Sequence, residues 1–98
     1  MKSEVTSNII SWAEGKGIIG KATPQTQFLK LIEEIGELSQ GIQKVNKEEI
    51  TDAIGDCVVV LTILAEMYHL SIDDCVWSAY DEIKGRTGSM QNGVFKKD

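Results

Sequence analysis

The sequence predicts an all-α protein, a small antiparallel bundle of about four helices in a single domain spanning residues 1–98. Apolar residues recur at helical spacing in four stretches, and a good N-cap residue precedes most of them. No stretch needs to pair as a strand in a sheet. A chain of 98 residues has room for one hydrophobic core and is too short for a second.

The first two helices are predicted from their ends and their apolar stripes. Ser3 is a good N-cap, and the first apolar pattern stops at Gly15. A glycine-rich loop follows. Thr23 then caps a second helix with Pro24 in its first turn, where a missing N–H is harmless, and the stripe runs four turns to Ile42.

The third helix is predicted from about Asn46 to Tyr68, and its later half is apolar on nearly every face. We therefore expect it to be the central, buried helix. Three neighbours in a chain of this size cannot readily cover such a helix, so we expect a second copy to bury the surplus. The residues that point in different directions around it are Val58, Val59, Leu61 and Ile63.

The last helix is predicted to follow Ser71, an N-cap with Asp74 three residues on, and to end within residues 84–87. The tail after it is predicted to be turn-like. Its strongest turn signal is the pair Asn92-Gly93.

Composition narrows the class of function. The net charge is −5, which argues against binding a nucleic-acid polymer through its phosphates. The longest apolar run is far shorter than the ~20 residues of a membrane-spanning helix, and the amino terminus lacks the pattern of a secretory signal. We expect a cytoplasmic protein in which Cys57 and Cys75 are buried free thiols.

Carboxylates on the second and third helices predict a metal site. At 100° per residue, Glu34 and Glu37 are neighbours on one flank, while Glu33 points further from the core. Asp52 and Asp56 lie on one line of the third helix, and no lysine or arginine occurs between Lys47 and Lys84 to neutralise them locally. An all-oxygen site of this kind suits Mg²⁺ or Mn²⁺.

Simpler explanations remain open for each of these residues. The helix dipole stabilises acidic side chains near a helix N-terminus, and acidic side chains elsewhere on helices are usually solvated. Lys84 and Arg86 either interact favourably with the helix dipole at a C-terminus or bind phosphate oxygens. Trp12 lies in an apolar stripe. It is either a core residue or an aromatic surface on which a nucleotide base stacks.

Three motifs resemble the MazG-like all-α nucleoside triphosphate pyrophosphohydrolases, especially short single-domain versions from phages and bacteria. They are Glu33-Glu34-Ile35-Gly36-Glu37, Asp52-Ala53-Ile54-Gly55-Asp56 and Tyr80-Asp81-Glu82-Ile83-Lys84-Gly85-Arg86. The family pattern is Glu-Glu-x-x-Glu followed by Glu-x-x-Asp. The second half departs here, because Ala53 stands three residues before Asp56. Asp52 is one candidate for the missing carboxylate, and Glu49 with Asp52 restores the spacing in a shifted register.

The resemblance implies hydrolysis of a nucleoside triphosphate to the monophosphate and pyrophosphate. It implies Mg²⁺ held by Glu34, Glu37, Asp56 and Asp52, with Glu33 or another free carboxylate orienting or deprotonating the attacking water. The resemblance, together with the position of these acids on the second helix, leads us to expect catalytic roles for Glu33, Glu34 and Glu37. Substrate contacts are expected from Gln27, Lys30, Asp81, Lys84, Arg86 and Trp12.

MazG-like proteins are dimers or tetramers with nucleotide sites at or near subunit contacts, so the resemblance also implies a homodimer or homotetramer. In such an assembly Trp12, Lys84 or Arg86 of one chain would approach the acids of another. The main competing hypothesis is a non-catalytic helical module that oligomerises or binds a partner. A ferritin-like di-iron protein is a weaker alternative, because the Glu-x-x-His motifs are missing.

Overall fold

A computed structural model describes residues 2–98 of the chain as five α-helices followed by a two-stranded antiparallel sheet. The elements are α1 (Glu4–Gly15), α2 (Ile18–Lys21), α3 (Pro24–Lys44), α4 (Lys47–Met67), α5 (Ile72–Ile83), β1 (Gly88–Gln91) and β2 (Val94–Lys97). The predicted all-α class is confirmed. The two longest helices, α3 and α4, are packed against each other and form the centre of the fold.

Each of the four long helices begins where a capping side chain accepts a hydrogen bond from the backbone N–H three residues later. The four caps are Ser3, Thr23, Asn46 and Ser71. The donor–acceptor distances are 3.2 Å for Ser3 and Thr23 and 3.1 Å for Asn46. These bonds satisfy amide groups that a helix leaves free in its first turn, which is why the predicted helix starts were correct.

The connection between α3 and α4 is a tight turn of two residues. Val45 adopts a left-handed conformation with φ 55°, and the Asn46 N–H donates to the Gly41 carbonyl at 3.0 Å. This closure of the helix end normally uses glycine, since a β-branched residue is strained at positive φ. The turn sends α4 back along α3.

A glycine allows the two helices to approach closely beside this turn. Gly41 is buried, and a Cβ built on it would lie 3.2 Å from both Glu49 Cβ and the Ile50 backbone nitrogen. A side chain at this position would require the neighbouring atoms of α4 to shift by a few tenths of an ångström. The spacing of the helices, and of the groups they carry, therefore depends on Gly41.

Helix α4 is central, as predicted, and contacts α1, α2, α3 and α5. It is not buried on every face, however. Val60 and Ile63 are buried, whereas Val58 and Leu61 remain exposed in the single chain. Only part of its circumference has a neighbour within the chain, and the burial of the remaining apolar surface by a second copy stays a prediction.

The start of α1 is anchored at the corner between α4 and α5. The Ser3 backbone N–H donates to Asp73 Oδ2 at 2.8 Å, and Lys2 Nζ lies 3.3 Å from Glu66 Oε2. Ile10 and Ala13 bury the inner face of α1. These contacts fix α1 against α4 and thereby place Trp12.

Two parts of the predicted secondary structure were wrong. The glycine-rich loop contains the short helix α2, and the tail forms the hairpin β1–β2. The turn of the hairpin is at the predicted place, since Asn92 and Gly93 both have positive φ values, 53° and 79°. Positive φ at both central residues is the geometry that joins two strands through a two-residue loop.

Helix α5 and the hairpin extend away from the rest of the chain. Every residue from Asp74 to Asp98 is exposed. The radius of gyration, 15.8 Å, exceeds the value of about 13 Å that is typical of a compact domain of about 100 residues. Among residues 2–98, none of the helices combines the length and apolar character required to span a membrane.

Helix spacing can be tested by replacing Gly41 with alanine. We expect Gly41→Ala to lower the free energy of unfolding by about 1 kcal/mol, because its Cβ would press against the α4 backbone. Gly36→Ala is the matched control on the same helix, since no atom lies within 4 Å of the added Cβ. It should stabilise the fold by about 0.5–1 kcal/mol. Urea unfolding measures both, and equal changes would contradict the close approach.

Candidate metal and nucleotide site

The acidic flank of α3 faces α4. Glu34 and Gly41 are the buried residues of α3, whereas Ile32 and Ile35 of its apolar stripe are about half exposed. Sequence reasoning assumed that the apolar stripe packs inward. The structure instead turns a carboxylate into the contact between the two longest helices.

Three carboxylates from these helices form one cluster. Glu34 and Glu37 come from α3 and Asp56 from α4, and one oxygen of each lies within 4.8 Å of the others. Glu34 is only 5% exposed, while Glu37 and Asp56 are open to solvent. The cluster therefore has a buried end and an accessible end.

The negative charges of the cluster oppose one another. The charge of Glu34 is the main cause of the raised pKa of Glu37. For Asp56, partial desolvation is the largest cause of the raised pKa, followed by the charge of Glu34. Both shifts mean that ionised carboxylates at this place lack enough positive charge.

The cluster fits a hard divalent cation. Glu34 Oε1 lies 3.2 Å from Lys30 Nζ, but Glu34 Oε2 is buried without a hydrogen-bond donor. A buried polar atom of this kind is costly unless a partner satisfies it. Carboxylate oxygens from two rigid helices are ligands that Mg²⁺ and Mn²⁺ accept.

Asp52 and Glu49 lie further along the same cleft. Together with Glu37 and Asp56 they line a cavity of about 380 Å³ between α3 and α4. Neither belongs to the group of oxygens within 4.8 Å, although the charge of Asp52 contributes to the raised pKa of Asp56. Glu49 Oε1 is 3.5 Å from Lys44 Nζ. The structure thus brings together three of the four predicted ligands and places Asp52 beside them.

The other predicted residues of α3 lie around the cluster. Glu33 is largely exposed and outside the cluster, with its Oε2 3.8 Å from Lys30 Nζ. Gln27 is half-buried one turn before Lys30. Glu33 thus points away from the core, in the direction predicted from 100° per residue.

The predicted phosphate-binding residues that follow α5 are paired with acids in the last turns of that helix. Lys84 Nζ lies 3.0 Å from Asp81 Oδ1 and 5.9 Å from the centre of the Tyr80 ring. Arg86 Nη2 lies 2.9 Å from Glu82 Oε1. All these groups are exposed, so a phosphate could compete for either cation.

Trp12 lines a groove that leads to the cluster. The groove, of about 400 Å³, is bordered by Trp12, Asn8, Val59 and Asp56, with further residues of α1. Trp12 is exposed rather than part of the core. Sequence reasoning missed Asn8, and also Gln40 in the acidic cleft. Only their spacing could have indicated these two residues, since Asn8 lies one turn before Trp12 and Gln40 lies three residues after Glu37.

The cysteines are free thiols, as predicted, but Cys75 is exposed on α5. Its predicted burial was wrong because α5 has few neighbours within the chain. Cys57 is half-buried beside the cluster. Desolvation, followed by the charges of Glu34 and Asp56, raises the pKa of its thiol, which disfavours a reactive thiolate.

Comparisons with known proteins identify the family of this chain. A relative from Haemophilus phage HP1, described as an uncharacterized 18.2 kDa protein of the rep-hol intergenic region, is 46% identical over 67 residues. The match covers 68% of this chain and 41% of the relative. No solved structure gives a significant match. The MazG nucleotide pyrophosphohydrolase domain matches residues 22–90, which include α3, α4 and the whole carboxylate cluster, and the chain belongs to this family.

Proposed function

We propose that this chain is a Mg²⁺-dependent nucleoside triphosphate pyrophosphohydrolase, which releases the nucleoside monophosphate and pyrophosphate from a cytoplasmic nucleotide. The observation that carries the proposal is the buried Glu34 oxygen without a donor, within a three-carboxylate cluster of a MazG domain. Mn²⁺ is an alternative ion of similar chemistry.

The chain supplies the residues that this reaction needs. Glu34, Glu37 and Asp56, with Asp52 nearby, would hold the ion. When bound, Mg²⁺ supplies charge neutralisation between acidic protein and phosphates and polarises the phosphoryl group. Glu33 is an exposed carboxylate suited to accept a proton from the attacking water.

Binding of the nucleotide is assigned to the surfaces around the cluster. The groove beside Asp56 gives the base an aromatic face on Trp12. Gln27 and Lys30 flank the acids on α3, and Lys84 and Arg86 would exchange their exposed acidic partners for phosphate oxygens. Asp81, the acidic partner of Lys84, would release the ammonium when phosphate binds.

The experiment that tests the function measures pyrophosphate release from the common, deoxy and oxidised nucleoside triphosphates. Release should require millimolar Mg²⁺ and stop with a chelator. Mg²⁺ should also raise the melting temperature, since the folded state alone gathers the ligands. A non-catalytic helical module would show neither effect. Absence of release from the whole panel would refute the proposed activity.

The exposed apolar faces support assembly into a homodimer or homotetramer. Nine large apolar residues of α3 and α5 are between 50% and 64% exposed, more than single scattered residues on a monomer. They are Phe28, Leu29, Ile32, Ile35, Ile42, Val76, Trp77, Tyr80 and Ile83. A second copy is the simplest cover for two such faces.

Metal-ligand variants give the first prediction about the site. Glu37→Gln and Asp56→Asn should each remove nearly all pyrophosphate release and the Mg²⁺-induced rise in melting temperature, because each removes one of three ligand charges. Both variants should stay folded, and more stable than wild type without metal, since one repelling charge is gone. Glu33→Gln is the control and should keep the Mg²⁺-induced rise. Full turnover in both ligand variants would contradict the metal site.

The choice between Asp52 and Glu49 can be made by comparing Asp52→Asn with Glu49→Gln. We expect Asp52→Asn to lose at least tenfold in activity at limiting Mg²⁺, because Asp52 is one turn from Asp56. Glu49→Gln should have a small effect, since Glu49 is paired with Lys44. The reverse result would show that Glu49 provides the fourth carboxylate.

Assembly gives a further prediction. Ile35→Lys should reduce the mass measured by light scattering at micromolar concentration, because a charge would be buried at the contact between copies. Val45→Lys is the control, as it adds the same charge in a turn where the side chain is 80% exposed. A monomer mass for the wild-type chain with full activity would contradict the assembly.

A further inference from the structure

The buried carboxylate of the cluster already has one positive partner, the ammonium of Lys30. Lys30 Nζ lies 3.2 Å from Glu34 Oε1 and 3.8 Å from Glu33 Oε2. The hydrogen bond to Glu34 is the main cause of the raised pKa of Lys30, and Glu37 adds to it. Among the ion pairs formed by residues 2–98, this is the one that reaches the cluster.

An ordinary helix-surface ion pair does not account for this contact. Lysine four residues before glutamate is the less favourable order for such pairs on an isolated helix. Exposed pairs also contribute only about 0.3–0.5 kcal/mol. Here, however, the Glu34 side chain is 6% exposed, so an ionised and unpaired carboxylate would be strongly unfavourable. The need for Lys30 therefore comes from the burial of Glu34.

The two partners differ in how freely they can separate. Glu34 is fixed between α3 and α4, whereas the Lys30 side chain is 48% exposed and its ammonium can return to water at little cost. The pair can therefore open from the lysine side without disturbing the packing of the helices.

A divalent cation in the cluster would compete with Lys30. The ion would bind Glu34 within a few ångströms of the ammonium, and two like charges at this distance repel. It would also supply the charge that Lys30 supplies in its absence. Occupation by both cations is less favourable than occupation by one.

We propose that Lys30 is an exchangeable internal counter-ion, which holds Glu34 in the metal-free protein and leaves it when a divalent cation binds. Lys30 is thus a positioning residue for the metal site. The exchange places a free ammonium beside the bound ion, where a triphosphate would bring its phosphates. Only this last step rests on the proposed function.

The test compares Lys30→Gln with Lys44→Gln. Lys44 is the matched control, because it lies on α3, pairs with the acid Glu49 and carries the same charge. Mg²⁺ and Mn²⁺ affinities are measured by calorimetry, and melting temperatures are recorded with chelator and with saturating Mg²⁺.

We expect Lys30→Gln to melt at a lower temperature without metal and to bind Mg²⁺ about threefold to tenfold more tightly, because its competitor is gone. Saturating Mg²⁺ should close the gap in melting temperature to wild type. Lys44→Gln should change the affinity by less than twofold. In turnover assays, Lys30→Gln should raise the KM for the triphosphate more than it lowers kcat.

A purely structural role for Lys30 would give the opposite sign, since a poorly held Glu34 would bind Mg²⁺ more weakly. Weaker or unchanged affinity in Lys30→Gln therefore overturns the proposal. If that variant fails to fold, the double variant Lys30→Gln with Glu34→Gln should regain the metal-free melting temperature, and failure to regain it overturns the proposal too.

Failure of the proposed function gives a different result. Tighter Mg²⁺ binding by Lys30→Gln without pyrophosphate release from any triphosphate would support the exchange and refute the hydrolase. Release by the wild-type chain with unchanged affinity in the variant would refute the exchange alone. Absence of Mg²⁺ binding by the wild-type chain would refute both.

Discussion

The burial of one carboxylate, Glu34, between the two longest helices is the constraint on which the rest of the structure depends. An ionised group in this position must have partners, because its desolvation is otherwise too costly. The chain provides Lys30 on one oxygen and leaves the other without a donor. A fold that optimised only its own stability would place an apolar side chain here.

The same constraint determines which face of α3 meets α4. Because Glu34 and Gly41 face inward, much of the apolar stripe on α3 faces outward and stays exposed in the single chain. Gly41 completes this arrangement, since the close approach that it allows brings α3 carboxylates near those of α4. Metal site and exposed apolar surface are consequences of one rotation of α3 about its axis.

The sequence alone predicted the local features well. The caps Ser3, Thr23, Asn46 and Ser71 depend on neighbours three residues away, so helix starts could be predicted without knowing the fold. The grouping of Glu34 and Glu37 also follows from helical periodicity within one element. Asp56 could be assigned to the same site because its helix carries no base nearby and because of the family resemblance.

Features that depend on the whole chain or on other copies were predicted less well. The burial of Cys75 was inferred from amphipathicity, but an apolar face shows only that a partner is needed and not that the chain supplies it. The hairpin was missed because Gly88–Gln91 lacks the alternation of a strand, although its turn was visible at Asn92-Gly93.

The departure from the family pattern at Ala53 has an electrostatic consequence. Ala53 is 2% exposed and lines the acidic cleft, so a longer acidic side chain here would bring a further charge close to the cluster. Its place is taken by a methyl group, while Asp52 remains exposed in the same cleft and outside the group of close oxygens. In the metal-free fold, these three carboxylates with Lys30 carry a net charge near −2, and a further acid would add to it. An alanine at position 53 thus lowers the repulsion that the metal-free fold has to withstand, where Lys30 neutralises part of the charge on the buried Glu34.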